Sequence, residues 1–200
     1  MTRIGVLALQ GAFAEHVEIL SRLGAQAIEV RLPEHLEGLD GLVVPGGEST
    51  TVSHLMAEYG LLSPLQRMAS QGLPVWGTCA GLIMLAKRGE DLTFPTLAVM
   101  DIAVRRNAFG RQVDSFEAEL DVPALGHSPF PAVFIRAPVI VEAGPQVQVL
   151  ACLNGGAIVA AQEGHLLATA FHPELTDDLR FHRHFLEIAA AAKAATGSHR

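Results

Sequence analysis

The run Val75-Trp76-Gly77-Thr78-Cys79-Ala80-Gly81-Leu82-Ile83-Met84-Leu85 constrains this chain more than any other stretch. After Pro74, Val75 and Trp76 read as a strand entering a core, and Leu82 begins an apolar helical run. Between them, Gly77 and Gly81 bracket Cys79, with Ala80 as its small neighbour. A strand that turns straight into a helix leaves no room for side chains beside the turn, which is what a G-x-C-x-G elbow provides. Such an elbow lifts residue 79 above the sheet and aims the first N–H groups of the next helix at its sulfur. Cysteine needs less activation than other nucleophiles, because the free thiol has a pKa of about 8.5. An inert cysteine in a tight turn is the alternative, but it gives no reason for small residues on both sides.

An elbow of this kind needs a sheet with helices on its faces, and the first half of the chain reads that way. Residues 4–9 form a continuous apolar run, as in a strand covered on both faces, and residues 27–32 and 42–44 read as further strands. Phe13, Val17, Leu20 and Leu23 recur at helical spacing before Gly24. Val52, Leu55, Met56 and Tyr59 do the same before Gly60, and Leu65, Met68 and Ala69 before Gly72. This alternation predicts an α/β fold with a mainly parallel central sheet flanked by helices. Ligands bind such sheets at the carboxyl ends of the strands. Pro45-Gly46-Gly47 and Cys79 both fall at such ends.

The second half changes character. Residues 97–104, 116–122, 133–135, 139–142, 147–153, 157–161 and 165–170 are short strand-like runs divided by Gly, Pro and Asn turns. Asn154-Gly155-Gly156 is a hairpin signal. Antiparallel hairpins added to the sheet are therefore expected. A last helix turns Phe181, Phe185, Ile188 and Ala192 inward. With 200 residues, half of them apolar, the expectation is a single domain over 1–200 with 196–200 as a frayed tail.

Two short motifs complete the chemistry. Phe171-His172-Pro173-Glu174 directly follows a strand-like run. A cysteine nucleophile needs a base within hydrogen-bond reach, and the base needs an orienting carboxylate. Residues two apart in an extended segment point the same way, so His172 and Glu174 can line one site. Alone, H-P-E also fits a surface histidine beside a solvated glutamate. Val44-Pro45-Gly46-Gly47-Glu48-Ser49-Thr50-Thr51 is the other motif. The N–H groups of Gly46 and Gly47 can face a developing oxyanion, with the N–H of Ala80 as a second donor. A tight turn with Ser49 or Thr50 as helix N-cap is the plainer reading, and both can hold. Glu48 can receive a substrate ammonium group.

P-G-G, G-T-C-A-G and H-P-E in this order resemble the class I, triad-type glutamine amidotransferases. Residues 5–11, 45–51, 106–116 and 134–138 narrow the resemblance to one subfamily, the glutaminase subunit of the two-component pyridoxal 5′-phosphate synthase. The likeness runs from Ile4 to about the final helix. It departs at Ala108, where serine is expected, and at Leu97-Ala98-Val99, where a glycine is expected. By resemblance Cys79 is the nucleophile, His172 the acid/base and Glu174 its orienter. Glutamine-binding positions fall on Gly47, Glu48, Ser49, Arg106, Ile135 and Arg136. Glutamine's α-carboxylate and α-ammonium call for an arginine and a carboxylate. Without the resemblance, Arg105, Arg106, Arg111 and Arg136 read as ordinary surface arginines.

The resemblance implies hydrolysis of L-glutamine through a cysteine thioester. It also implies that ammonia passes to a partner, the pyridoxal 5′-phosphate synthase (lyase) subunit. No metal and no organic cofactor is expected on this chain. His16, His182 and His184 lack matching cysteine or carboxylate spacing, and helix faces account for them. The net charge of −7 argues against a nucleic-acid surface, and no apolar run is long enough for a membrane span. Met1-Thr2-Arg3 leads into a strand, not a signal peptide. Two cysteines make no disulfide framework, so a reducing, cytoplasmic setting is expected, and Cys152 reads as core. Rival readings are a glutaminase subunit for another synthase, a cysteine peptidase or chaperone-like protein, and a non-catalytic regulatory module. The last would be expected to lose a triad residue.

Overall fold

The computed structural model describes residues 1–90, 92–109 and 115–197. Residues 110–114 of the family-like run, Arg111 included, lie outside the described residues, as do 198–200 of the tail.

The first half alternates as its periodicity predicts. The elements are β1 (Arg3–Leu7), α1 (Phe13–Arg22), β2 (Gln26–Val30), β3 (Gly41–Val44), α2 (Ser49–Glu58), α3 (Leu62–Ser70), β4 (Val75–Thr78) and α4 (Ala80–Leu85). Then follow β5 (Ala86–Gly89), β6 (Met100–Arg105), β7 (Ser115–Leu120), β8 (Phe130–Ile135), β9 (Val139–Ala143), β10 (Gln148–Cys152), β11 (Ile158–Glu163), β12 (Leu166–Thr169) and α5 (Arg180–Gly197). The main sheet runs β2-β1-β3-β4-β12-β11-β9-β6-β5, with β10 on β11. From β2 to β12 every pairing is parallel, and the strands β9 to β12 add antiparallel pairings. Each residue of β3, β4 and β12 is buried, which is why these strands read as unbroken apolar runs.

One pairing decides where the site forms. β12, near the end of the chain, returns from β11 and lies parallel to β4, with Ala168 opposite Gly77 and Thr169 opposite Thr78. On the other side of β4, Val44 of β3 lies opposite Gly77. The segments that follow β3, β4 and β12 therefore leave the sheet side by side. They are the P-G-G, G-T-C-A-G and H-P-E segments.

Away from the candidate site, the structure departs from the sequence expectations at five places. β7 and β8 do not extend the sheet but pair with each other as a separate ribbon. Rings hold the ribbon down: Phe116 stacks on Phe134 at 4.6 Å, Phe134 meets Phe171 at 5.6 Å, and Phe130 meets Phe181 at 4.8 Å. A short edge strand, β5, follows α4 directly; its Lys87 and Arg88 are exposed, charges that discourage pairing with another chain. Cys152 is exposed, not core: it ends β10, where a bulge shifts the alternation of faces. His16 and His182 are fully buried, although helix-face reasoning left them unremarkable.

The last departure is at residues 97–99, which are not part of β6. The N–H groups of Leu97 and Val99 instead bond to the carbonyls of Met84 and Leu85 at the end of α4, at 2.8 and 3.1 Å. Ala98 between them has φ 54°, a left-handed conformation that costs an L-residue about 1–2 kcal/mol. This is the stretch where the family pattern calls for a glycine. Ala98 is exposed, so its methyl packs against little. Ala98→Gly is expected to stabilise the chain by about 1 kcal/mol or less, after the added flexibility of glycine in the unfolded chain. Chemical denaturation with an unchanged m-value is the measurement, and a destabilised variant would contradict it.

Candidate active site

The turn at residue 79 has the geometry its neighbours suggest. Cys79 sits at φ 50°, ψ −106°, a strained conformation for a residue with a side chain. A Cβ on Gly81 would run into the Val44 carbonyl, and one on Gly77 into the Gly81 backbone. Both glycines are thus required by close backbone approach. The Cys79 N–H donates to the Thr169 carbonyl at 2.8 Å, tying the elbow to the end of β12. Its Sγ lies 3.7 Å from the carbonyl oxygen of Ile135, brought in by the ribbon.

His172 leaves β12 beside this sulfur. Its N–H donates to the Val133 carbonyl of β8 at 2.8 Å, so the ribbon fixes its backbone. The ring Nδ1 meets Glu174 Oε1 at 2.7 Å, and the Glu174 side chain is fully buried. Burial disfavours the imidazolium, but hydrogen bonds and charge from Cys79 and Glu174 outweigh it and raise His172 from 6.5 to about 10. Burial likewise opposes the Glu174 carboxylate. Contacts with His16 and His172 outweigh that too and hold it at about 2.

The P-G-G turn packs on the same centre. A Cβ on Gly46 would strike the His172 ring and come within 3.2 Å of Cys79 Cβ, so only glycine fits. The Gly46 N–H is committed, donating to Thr78 Oγ1 at 3.0 Å. The Gly46 carbonyl accepts from the Ala12 N–H at 3.2 Å, and in a trans peptide the Gly47 N–H points the opposite way. Of the two glycines, Gly47 is therefore the one whose N–H can serve an oxyanion.

Glu48, not Ser49 or Thr50, caps α2. Its carboxylate accepts from the N–H of Thr50 and Thr51, at 3.0 and 2.7 Å, and from Thr51 Oγ1 at 2.8 Å. A carboxylate one residue earlier can reach both N–H groups and complement the helix dipole. Burial is the largest single influence and opposes the charge, but these bonds together outweigh it and hold Glu48 at about 2. Arg106 Nη2 takes the remaining side at 3.4 Å. Gln10 Oε1 accepts the Glu48 N–H at 2.7 Å.

These groups line a cavity of about 350 Å³ containing Gly46, Gly47, Glu48, Ser49, Cys79, Ala80, Arg106, Ile135, Arg136 and His172. All the residues singled out in the sequence line it except Glu174, which is buried behind His172. Arg136 has φ 43° and its side chain is exposed. Gln10, Asn107 and Pro138 also line it, as sequence reasoning did not foresee. A larger groove of about 930 Å³ lies between the ribbon and residues 175–183, but its lining contains no cysteine and no histidine. The smaller cavity, which holds Cys79 and His172, is the candidate active site. Among the described residues, no group of three or more His, Cys, Asp or Glu is arranged to hold a metal ion. No helix among them is long and apolar enough to cross a membrane.

Comparison with known proteins follows the same lines. The model of the SNO glutamine amidotransferase family matches residues 6–191. The pyridoxal 5′-phosphate synthase subunit PdxT of Herpetosiphon aurantiacus is 58% identical over 188 residues, covering 92% of this chain and 99% of that protein. The protein of the same name from Pelotomaculum thermopropionicum is also 58% identical, covering 95% of this chain and 96% of its own. A crystal structure of a glutamine amidotransferase matches with a TM-score of 0.88 at 53% identity, covering 94% of this chain and 98% of that one. The structure of PurLQS from Thermotoga maritima matches with a TM-score of 0.66 at 14% identity, covering 93% of this chain and 98% of that one, which shows a shared fold alone.

Proposed function

The chain belongs to the SNO glutamine amidotransferase family, and from that premise we propose that it hydrolyses L-glutamine to L-glutamate and ammonia. We further propose that it delivers the ammonia to a partner subunit that makes pyridoxal 5′-phosphate. The observation that carries the first proposal is the Cys79 elbow set beside the 2.7 Å His172–Glu174 pair, in a cavity whose wall bears the Arg106–Glu48 pair. The relatives named PdxT support the choice of partner. A reducing cytoplasm suits a free nucleophilic thiol.

The roles follow from position. The Cys79 thiolate attacks the side-chain amide carbon of glutamine. The oxyanion that forms is met by the N–H groups of Gly47 and Ala80. The His172 imidazolium gives its proton to the amide nitrogen, the C–N bond breaks, ammonia leaves, and a glutamyl thioester remains on Cys79. His172, now neutral, takes a proton from water. The hydroxyl adds to the thioester, glutamate departs, and the thiolate–imidazolium pair is restored. Glu174 keeps Nδ1 protonated, so that Nε2 is the nitrogen that shuttles.

Substrate recognition involves an exchange of partners. A carboxylate accepts about four hydrogen bonds, and Glu48 already receives three from the start of α2 and one from Arg106. An incoming amino acid has charges for both members of the pair. Its α-carboxylate takes Arg106 while its α-ammonium takes the side of Glu48 that Arg106 leaves. The pair is half exposed on the Glu48 side, so opening it costs little.

Coupling to a partner has a place to act. Turning the Gly46–Gly47 peptide over would break the bond to the Ala12 N–H, a loss of about 1 kcal/mol. It would also present a carbonyl to the oxyanion. The Gln10 and Ala12 segment holds both this peptide and the Glu48 N–H, so a partner resting there can select the productive state. The test is ammonia release from glutamine by the purified chain, before and after adding a pyridoxal 5′-phosphate synthase subunit. The expected result is slow turnover alone and a rise of about a hundredfold with the partner, the worth of one oxyanion donor. No turnover in either case would overturn the glutaminase reading. Equal rates with a complex formed would refute the switch.

A further inference from the structure

Behind the catalytic histidine, the chain buries a second and a third imidazole that the mechanism above does not use. We infer that His16 is a positioning residue for the Glu174–His172 pair and is itself set by His182. The inference rests on the reading of His172 as proton carrier.

The contacts form one line. Glu174 reaches His172 Nδ1 with Oε1 at 2.7 Å. Its other oxygen, Oε2, makes no hydrogen bond of good angle, but His16 Nε2 stands 3.3 Å away and both side chains are fully buried. The approach is close enough for the N–H dipole to act on the carboxylate charge, though the ring does not point straight at it. His16 belongs to α1 and His182 to α5, and His16 Nδ1 lies 3.0 Å from His182 Nε2. Thr78 Oγ1, which holds the Gly46 N–H, is 3.5 Å from His16 Nε2. Trp76 packs edge-on against both rings, at 5.5 and 4.9 Å.

Proton placement gives this line a direction. Oε2 of a carboxylate can only accept, so His16 must turn an Nε2–H toward it. His16 Nδ1 is then the acceptor, and His182 must donate from Nε2. That leaves His182 Nδ1 as a bare lone pair, and this buried atom indeed has no hydrogen-bond partner. An orphaned acceptor at the far end is cheaper than an orphaned donor, so this arrangement costs least. Burial also pushes His182 down to about 3, keeping it uncharged as the arrangement requires. Two helices thus hold a carboxylate that would otherwise pivot on a single bond. The orientation of His172 toward Cys79 depends on them.

The test separates donor placement from packing. Glutamine carries an amide N–H out to about the level of imidazole Nε2, asparagine stops at the level of Nδ1, and phenylalanine fills the space with no donor. His16→Gln, His16→Asn and His16→Phe are compared in the full chain with the synthase partner added. Active sites are counted by covalent labelling of Cys79 with a glutamine-mimicking diazo ketone. The expected result is a fall of about tenfold in kcat per labelled site for His16→Phe and His16→Asn, with KM for glutamine within twofold. His16→Gln retains most of kcat. Equal kcat per labelled site in all four proteins would overturn the inference, as would equal losses in the glutamine and phenylalanine variants. If His16→Phe fails to fold, the glutamine and asparagine variants decide in the same way. Alkylation of Cys79 by iodoacetamide gives a readout that needs no glutamine, and its rate is expected to follow the same order. Should even the parent chain fail to cleave glutamine, the functional reading falls while the alkylation rates still decide the positioning.

Discussion

Cys79→Ala is expected to remove glutamine hydrolysis, by about 10⁴-fold or more, and to leave the fold standing. The proposed thioester route has no substitute nucleophile, and removing a nucleophile from a cooperating set costs about as much as removing the whole set. The backbone argument runs the other way. Residue 79 already bears the strain of φ 50°, and alanine bears it as cysteine does. The lost sulfur touches the Ile135 carbonyl and His172, so few packing contacts go with it. Thermal unfolding is expected within a few degrees of the parent. The variant also carries a signature in His172. Cys79 is one of the two groups that raise this histidine, so its imidazole titrates at lower pH in the variant than in the parent. Ammonia release, melting temperature and the imidazole titration by NMR are the three measurements. Retained turnover in a preparation free of other glutaminases would sink the assignment.

His172→Asn is expected to be nearly as damaging, and Glu174→Gln less so, by about 10²–10³-fold in kcat. In the proposed mechanism the histidine moves two protons in each cycle, whereas the carboxylate orients it and stabilises its charged form. The pH dependence makes the difference visible. Glu174 raises His172, so its replacement by glutamine lowers the pH at which His172 loses its proton. The alkaline limb of kcat therefore moves to lower pH in Glu174→Gln. Stability carries the matching signs. Glu174 is lowered to about 2, so its contribution is present above its ordinary 4.5 and is lost as pH falls toward 2. His172 is raised to about 10, so its contribution is full below 6.5 and is lost as pH rises through 10. Glu174→Gln should remove the acid-side loss and weaken the alkaline one. An unmoved alkaline limb, or a glutamate change more damaging than the histidine change, would mean the roles are reversed.

Much of the candidate site could be read from spacing because its constraints are local. Gly77 and Gly81 are needed within a single turn, and His172 and Glu174 meet across one proline. Gly46 is required by the His172 ring and the Cys79 Cβ that a side chain there would meet, and its motif announced it. Ile135 and Arg136 were legible only through resemblance, since nothing about a strand end followed by an arginine says that its backbone closes a cavity. His16 and His182 were missed for a different reason. Their helical positions, with Ile19 and Leu20 beside His16 and Phe181 and Phe185 beside His182, do lie on the buried faces. A buried histidine at such a position was the available signal. What it would meet there was not, because its partners come from other elements.

The division between the two levels is physical. Short-range sterics and backbone chemistry act over a few residues, so the sequence by itself determined the elbow, the alternation of strands and helices, and the candidates for nucleophile and base. Proximity across the chain is a property of sheet order. β12 lies against β4 because the chain returns through β11, and that choice puts His172 beside Cys79 although 93 positions separate them. The aromatic packing of the β7–β8 ribbon then carries Ile135 to the sulfur, and the docking of α1 and α5 brings two imidazoles to the back of Glu174. No periodicity encodes those distances, because they are set by which faces bury each other, and only the tertiary structure decides that.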